Sequence, residues 1–394
     1  MNKFLNLAMR YITADKIFSG KELLPAHTVL VLDDKNKISD VTTSDVIEKS
    51  NVEYFNGTIT PGFINTHCHL ELSHLKGVIK QHTGIVDFGL SVMKHRNELS
   101  VELQQEAMLK ADEEMRSQGI VAIGDISNSN SSIKTKQESN LFYHTFVELI
   151  ALNPERADSV FAAGKQLLSE FSNVQLSASL APHAPYSTSF ELIKKISDDC
   201  YSQKKSTSIH NQESKAENEF FNSKSGDYLR LYEAIKVPID YFKATEKSSL
   251  QSIAAAFHKN VFTLLVHNTF TNHNDIENIQ KNHSHLYWCL CPNANLYIEN
   301  ILPDIALLHS NNCLLTLGTD SLASNSQLSI ISEINTILQY QPNISIETLL
   351  QAATYNGAHF LGIENQFGLI EKNRNCGINL IEGDSGNFSV KKLA

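Results

Sequence analysis

Residues 60–77, TPGFINTHCHLELSHLKG, decide how this chain is read. A short apolar run, Phe63-Ile64, leads into His67 and His69. Residues two apart in a strand share a face, so both imidazoles project together at the strand's C-terminal end. Two neutral imidazoles aimed at one point are half of a metal site. Two unrelated loop histidines are the plainer alternative, and the HxH pattern alone does not separate the two. The ends of the other strands must do that.

After Pro61, apolar strand-like runs alternate with longer helical stretches. The runs are Ile120 to Ile126, Leu141 to Leu152, Val174 to Leu180, Thr207 to Ile209, Val261 to Val266, Leu286 to Leu290 and Cys313 to Leu317. Amphipathic segments such as Val101 to Gln118, stopped by Gly119, lie between them. With the Phe63 run this makes eight strand-then-helix units. The pattern predicts an α/β fold, a closed (β/α)8 TIM-type barrel over residues 59–364 with its site at the strands' C-terminal ends.

Residues 1–58 and 365–394 read instead as short strands and turns. Val29 to Leu32, the turn Asp33 to Asn36, then Ile38 and Val41 form one hairpin-like unit. Val52 to Phe55 followed by Asn56-Gly57 repeats that pattern. The tail carries Gly368-Leu369-Ile370 and Ile378 to Ile381. Both chain ends are expected to build one small β-sandwich domain. The segment Gln327 to Leu361 is helical in pattern and should bury Leu349, Leu350, Ala352 and Ala353 against the barrel.

The barrel strands end in ligand-type residues. Strand four runs into APHAPYS with His183, strand five into IHNQES with His210 and Glu213, strand six into VHN with His267, and strand eight into GTDS with Asp320. A packed barrel has no structural use for so many such groups, since each buried ionisable side chain left unpaired costs several kcal/mol. One histidine there is ordinary packing. Five with an aspartate point to a bound metal.

Composition bounds the rest. Hydrophobic residues make up 42% of 394, and the net charge of −10 argues against nucleic acid or an anionic membrane as partner. No apolar run approaches the roughly 20 residues that span a bilayer. The opening MNKFLNLAMRYITADK is too broken by polar residues for a secretory leader. Six cysteines in so long a chain are no disulfide framework, so a reducing cytoplasm is expected. Cys289-x-Cys291 is read as strand packing, and the histidines at 27, 82, 95, 144, 258, 273, 283, 285, 309 and 359 as surface or packing residues.

The combined motifs PGFINTHCHLELSHLKG, APHAPYS, IHNQES, LVHN, CPNANL and LGTDS resemble the amidohydrolase superfamily, and within it the mononuclear branch of cytosine, adenosine and S-adenosylhomocysteine-type deaminases and triazine hydrolases. The resemblance covers nearly the whole chain. It implies that His67, His69, His210 and Asp320 bind one divalent metal, zinc or iron. Asp320 would also take a proton from the attacking water; capping the next helix is its alternative. Glu213, in the HxxE pattern, would protonate a ring nitrogen and shuttle protons; a solvated loop carboxylate is the alternative. His267 would hydrogen-bond the attacking water or the leaving amine, or else serve as a fifth ligand. Strand four carries no lysine, whereas two-metal branches bridge their ions with a carboxylated one, so a mononuclear site is expected.

The implied reaction is hydrolytic deamination of an aminated purine-type ring. An adenosine-like nucleoside, with aminodeoxyfutalosine as the specific candidate, is the expected substrate. Deamination of S-adenosylhomocysteine, methylthioadenosine, guanine or cytosine is the alternative, as is dechlorination or cyclic-amide opening on the same site. A non-catalytic regulatory relative is a third reading. His183, Glu71, Glu98 and Asn293 are the candidate substrate contacts. His183 stands as the recognition histidine of the deaminase branch or as a structural residue. Glu71 shares strand parity with His69. S-adenosylhomocysteine-type deaminases carry a Trp and a ribose-gripping Glu in the next loop; here Phe88 stands near the first, and Arg96 or Glu98 near the second. Asn293 and Asn295 would shape the pocket floor or cap a loop. A homodimer is expected from the family.

Overall fold

The computed structural model describes residues 9–47 and 49–394. The first half of the opening segment read as no secretory leader lies outside them. The strands are β1 (Arg10–Ile17), β2 (Thr28–Leu32), β3 (Ile38–Thr43), β4 (Val52–Pro61), β5 (Phe63–Cys68), β6 (Ile120–Ser127), β7 (Phe142–Leu149), β8 (Ser177–Pro182), β9 (Thr207–Asn211), β10 (Thr263–His267), β11 (Leu286–Leu290), β12 (Leu314–Leu317), β13 (Ile378–Asp384) and β14 (Asn387–Lys392).

β5 to β12 are the eight runs expected from the sequence, and every pairing among them is parallel. They form two four-stranded sheets, β5-β6-β7-β8 and β9-β10-β11-β12 in spatial order. Helices follow the strands and cover the sheets. That is why β6 is buried along its whole length and reads as one apolar run rather than an alternation. The two sheets also meet. An isolated parallel bridge joins Cys68 at the end of β5 to Asp320 beyond β12. Across the other seam the His210 amide donates to the His183 carbonyl at 2.9 Å.

Gly318 permits the first of these approaches. A Cβ there would sit 2.8 Å from the His67 Cβ and 2.9 Å from its carbonyl oxygen, closer than packed atoms come. A glycine is needed for β12 to reach β5 at the level of His67.

The chain ends join in one six-stranded sheet, ordered β14-β13-β4-β1-β2-β3. Only the β1–β4 pair is parallel. Among the described residues this is a single mixed sheet, where two stacked sheets were expected. Asn56-Gly57 is also not a turn. β4 continues through it to Pro61, and the β1–β4 register shifts between Ala14 and Lys16. Gly57 takes φ +122° there, and its amide donates to Asp15 Oδ2 at 2.7 Å, so a turn-type dipeptide has been used for a bulge. The Asp33–Asn36 turn does join β2 to β3 as an antiparallel hairpin. Near the C-terminus, Leu349, Leu350, Ala352 and Ala353 are all buried, on a helix that widens into a π-turn at Ala352–Asn356.

Candidate active site

His67 lies within β5, and His69 follows one residue beyond its end. His210 is in β9, His267 closes β10, His183 follows β8 by one residue, and Glu213 and Asp320 lie two and three residues past β9 and β12. All seven therefore sit at the C-terminal rim of the parallel strands. Two of them occupy left-handed backbone that a non-glycine side chain rarely adopts: His267 at φ +75° and Asp320 at φ +53°. Such strain persists only where the surroundings enforce it. At Asp320 the amides of Thr319 and Asp320 both donate to the His67 carbonyl, at 3.0 and 3.1 Å.

The side chains converge. His69 Nε2 lies 3.2 Å from both His67 Nε2 and His210 Nε2. Asp320 Oδ1 lies 3.6 Å from His67 Nε2 and 3.4 Å from His69 Nε2. Nitrogens that share a tetrahedral ion at about 2.05 Å stand about 3.3 Å apart. The spacing is that of a ligand set. Protonation agrees with it. His210 Nδ1 donates to the His183 carbonyl at 2.7 Å, which leaves a bare Nε2 facing the cluster. Burial holds His67 and His183 below the ordinary imidazole value and His210 well below it, so these rings stay neutral. Burial alone would push the Asp320 carboxyl up, but His67, His69 and His267 outweigh it and hold it ionised. Three imidazoles and one carboxylate form a donor set suited to a divalent cation.

Glu213 and His267 flank this cluster, with Glu213 Oε1 3.5 Å from His267 Nε2. Burial, followed by the charge on Asp320, pushes the Glu213 carboxyl well above the ordinary range. His267 is pushed down to about 3, chiefly by burial. A protonated acid beside a neutral imidazole is an arrangement that can donate and relay protons. Asn295 Nδ2 sits 3.2 Å from His267 Nδ1, and Ser324 Oγ donates to Asp320 Oδ2. Just beyond His69, the Leu70 amide donates to Asp125 Oδ1 at 2.8 Å; Asp125 is itself paired with the buried Lys136 at 2.6 Å.

A cavity of about 240 Å³ opens over these groups. His69, His183, His210, Glu213, His267 and Asp320 line its polar end, with Glu148 and Asn128 beside them. Ile85, Phe88, Val92, Met93, Leu231 and Ile235 form an apolar wall, and Arg96 is the one cation among the lining residues. A larger cavity, about 430 Å³, lies at the opposite ends of the strands near Phe142, Ser177 and Phe262. Its buried His144 is already engaged by Ser177 and Ser179.

Three expected substrate contacts lie away from the cavity. Glu71 shares no strand with His69, because β5 ends at Cys68 and Leu70–Leu75 coils into a 3-10 helix. Its carboxylate accepts instead from the Asn128 and Ser129 amides and from Ser129 Oγ. Glu98 falls beyond the helix Gly84–His95, stays exposed and pairs with His95 at 2.7 Å, while Arg96 takes the place on the cavity. Asn293 faces the helix Ile330–Tyr340, where Glu333, Ser332 and Thr336 satisfy it. Asn295, two residues on and so on the opposite face of its own helix, is the one that reaches His267.

Glu148 was not singled out from the sequence. It sits inside the apolar run FVELIAL, and a lone acid within a buried strand was the available signal. The carboxyl lies against His183 and His210, with the ligand-type atoms of the three residues within 4.8 Å of one another.

The model described as the amidohydrolase family matches residues 58–393. Among curated relatives, the aminodeoxyfutalosine deaminase of Nitratiruptor sp. is 27% identical over 345 residues, covering 86% of this chain and 82% of that protein. An adenosine deaminase of Helicobacter pylori is 26% identical over 330 residues, covering 82% and 79%. Among solved structures, aminofutalosine deaminase of Helicobacter pylori in complex with methylthio-coformycin superposes with a TM-score of 0.79 at 23% identity, over 95% of this chain and 92% of that one. An adenosine deaminase from Xanthomonas campestris with bound zinc gives 0.72 at 17%, over 94% and 84%. At those identities the structural matches speak for the fold.

Proposed function

The chain belongs to the amidohydrolase family, and we propose that within it this protein is a hydrolytic deaminase of an aminated purine-type ring carried by an adenosine-like nucleoside. The observation that supports this reading is the pair Glu213 and His267, a buried acid and a neutral imidazole 3.5 Å apart beside the His/Asp cluster. A protonated ring nitrogen makes the amino-bearing carbon of an aromatic ring electrophilic, a help that an amide carbonyl does not need; dechlorination would use the same help and is told apart by the group released.

His67, His69, His210 and Asp320 would hold one divalent cation, zinc or iron. Such an ion, when bound, brings a water's pKa to roughly 7 and so supplies a nucleophile at neutral pH. The remaining steps belong to the side chains. Glu213 gives its proton to the ring nitrogen next to the amino-bearing carbon, which makes that carbon electrophilic. Asp320 Oδ1 accepts a proton from the attacking water as its oxygen bonds to the carbon. His267 hydrogen-bonds the amino group or the attacking oxygen, with its ring oriented by Asn295. The proton on Asp320 then passes to the amine, the carbon–nitrogen bond breaks, ammonia leaves, and the proton of the new hydroxyl returns to Glu213 as the carbonyl forms.

The finer architecture follows the same reading. The Cys68–Asp320 bridge and the His210–His183 hydrogen bond favour one closed eight-stranded barrel over residues 59–364, with 1–58 and 365–394 forming the small β domain. A cytoplasmic homodimer in nucleoside metabolism is the working assignment. Among the described residues no helix is long and apolar enough to cross a membrane.

Purified protein should carry about one equivalent of zinc or iron per chain by elemental analysis. It should release ammonia from members of a panel holding adenosine, 5′-deoxyadenosine, aminodeoxyfutalosine, guanine and a chlorotriazine. Chloride release without ammonia release overturns the deaminase reading.

A further inference from the structure

Glu148 is the one acidic side chain lining the cavity that the proposed chemistry does not use. It is 7% exposed, near the end of β7. Asn128 Nδ2 donates to its Oε2 at 2.8 Å, and Asn128 is itself fixed through its amide by the buried Glu71. The other oxygen, Oε1, is buried and has no hydrogen-bond partner. The neighbouring His210 Nδ1, at 3.6 Å, has its proton committed to the His183 carbonyl. A buried acceptor with no donor is costly, and a native fold keeps one where something else supplies the donor.

The position limits what that donor is. Glu213, His267 and Asp320 stand on the β9, β10 and β12 side of the rim, where the amino-bearing carbon would react. Glu148 stands on β7, separated from β9 by β8, with its carboxyl against His183 and His210. On an aminopurine nucleoside the exocyclic amine lies at the reacting carbon. The remaining unsubstituted ring nitrogens are acceptors, and the donors at the far edge are the sugar hydroxyls. We propose that Glu148 is a specificity-determining residue that takes a hydrogen bond from a 2′- or 3′-hydroxyl of the nucleoside sugar, with Asn128 and Glu71 holding its carboxyl in place. The inference rests on the deaminase reading above and deepens it. It also accounts for an expected hydroxyl-binding acid, Glu98, lying outside the cavity.

The test compares adenosine with 2′,3′-dideoxyadenosine on the metal-loaded wild-type enzyme and on Glu148→Ala. A hydrogen bond of this kind to a carboxyl group is worth about 10- to 100-fold. The wild type should turn over the dideoxy compound with kcat/KM about 100-fold below that for adenosine, mostly through KM. Glu148→Ala should lose about the same factor on adenosine, change by less than about threefold on the dideoxy compound, and keep its metal content. Equal wild-type kcat/KM for the two compounds overturns the proposal, as does an equal loss on both in the variant. The wild-type comparison stands even if the variant fails to fold. If neither compound yields ammonia, the deaminase reading is decided by the wider panel above and calorimetric binding of the two compounds decides this one. Tighter adenosine binding by the wild type alone sustains the hydroxyl contact; equal binding of the two compounds, or binding of neither, overturns it.

Discussion

In the proposed reaction Glu213 is the residue on which the chemistry turns. Its carboxyl is buried, sits 3.5 Å from an imidazole that burial keeps neutral, and retains its proton because an ionised group there would be poorly solvated beside Asp320. Glu213→Gln keeps the shape and removes the proton supply. Turnover should fall at least ~100-fold, while elemental analysis finds the metal unchanged; normal turnover would remove the proton donor from the scheme. Glu98 gives the opposite expectation. It is exposed and its partner is His95, so Glu98→Gln should leave KM and kcat within about twofold in steady-state assays. These two glutamates also mark what the sequence could say about the site. His67, His69, His183, His210, Glu213, His267 and Asp320 all stand at strand ends, where residue type and position carry the information, and the fold brings all seven to one rim. Glu71 follows from strand parity, Glu98 from a likeness to a loop of related deaminases and Asn293 from its motif, and the local geometry departs from each: a strand that stops at Cys68, a helix that stops at His95, and a helix face that points to Glu333. Glu148 was hidden because an acid inside an apolar strand looks like any other residue of that strand until its neighbours are known.

At the scale of elements, the helix Lys215–Ser223 follows β9 and fixes the loop that carries Glu213. Glu217 on that helix is fully buried and accepts from the Gln212 amide at 3.1 Å, while its other oxygen has no partner. Burial pushes its pKa from 4.5 up to about 7. The sign follows from linkage. Between pH 4.5 and about 7 the unfolded chain has released this proton and the folded chain has not, so Glu217's contribution is fully present below pH 4.5 and is lost as pH rises through about 7. Glu217→Gln keeps an acceptor for the Gln212 amide and cannot ionise. Relative to wild type it should be neutral at pH 4.5 and stabilised at pH 8 by on the order of 3 kcal/mol, or about 3 °C in Tm for a chain of this length. Calorimetric melts of both proteins across that range check it; a difference in Tm that does not change with pH rejects it. The elements themselves were the most readable part of the chain. Continuous apolar runs bounded by amphipathic helices located all eight parallel strands, because strands covered on both faces need no polar alternation. The bulge at Asn56-Gly57 was not readable, because the same dipeptide serves a turn or a bulge and the choice lies with the partner strand β1.

Across the whole molecule, the four candidate ligands tie together parts that backbone hydrogen bonds join only thinly. His67 and His69 come from the sheet β5-β6-β7-β8, whereas His210 and Asp320 come from the sheet β9-β10-β11-β12. Between β5 and β12 the described backbone pairing is a single bridge, at Cys68 and Asp320, made where Asp320 holds a strained φ and Gly318 allows the close approach. An ion held by all four would therefore clamp that seam as well as serve the reaction. Its binding energy would be counted as folding energy, since the unfolded chain offers no such site. Removal with a strong chelator should lower Tm by about 5 °C or more if the ion is present at about 1,000 times its Kd, and zinc added back should restore it. The loss should also be local. Hydrogen exchange should accelerate at the ends of β5 and β12 and in residues 318–325, where the bridge is alone, and stay unchanged in β13 and β14, whose antiparallel pairing reaches from Asn379 to Lys392. Asp320→Asn should reproduce that pattern with metal present, through weaker binding. A chelated protein with unaltered Tm and unaltered exchange at the β5–β12 seam would mean that the backbone closes the seam by itself and that the cluster serves chemistry alone.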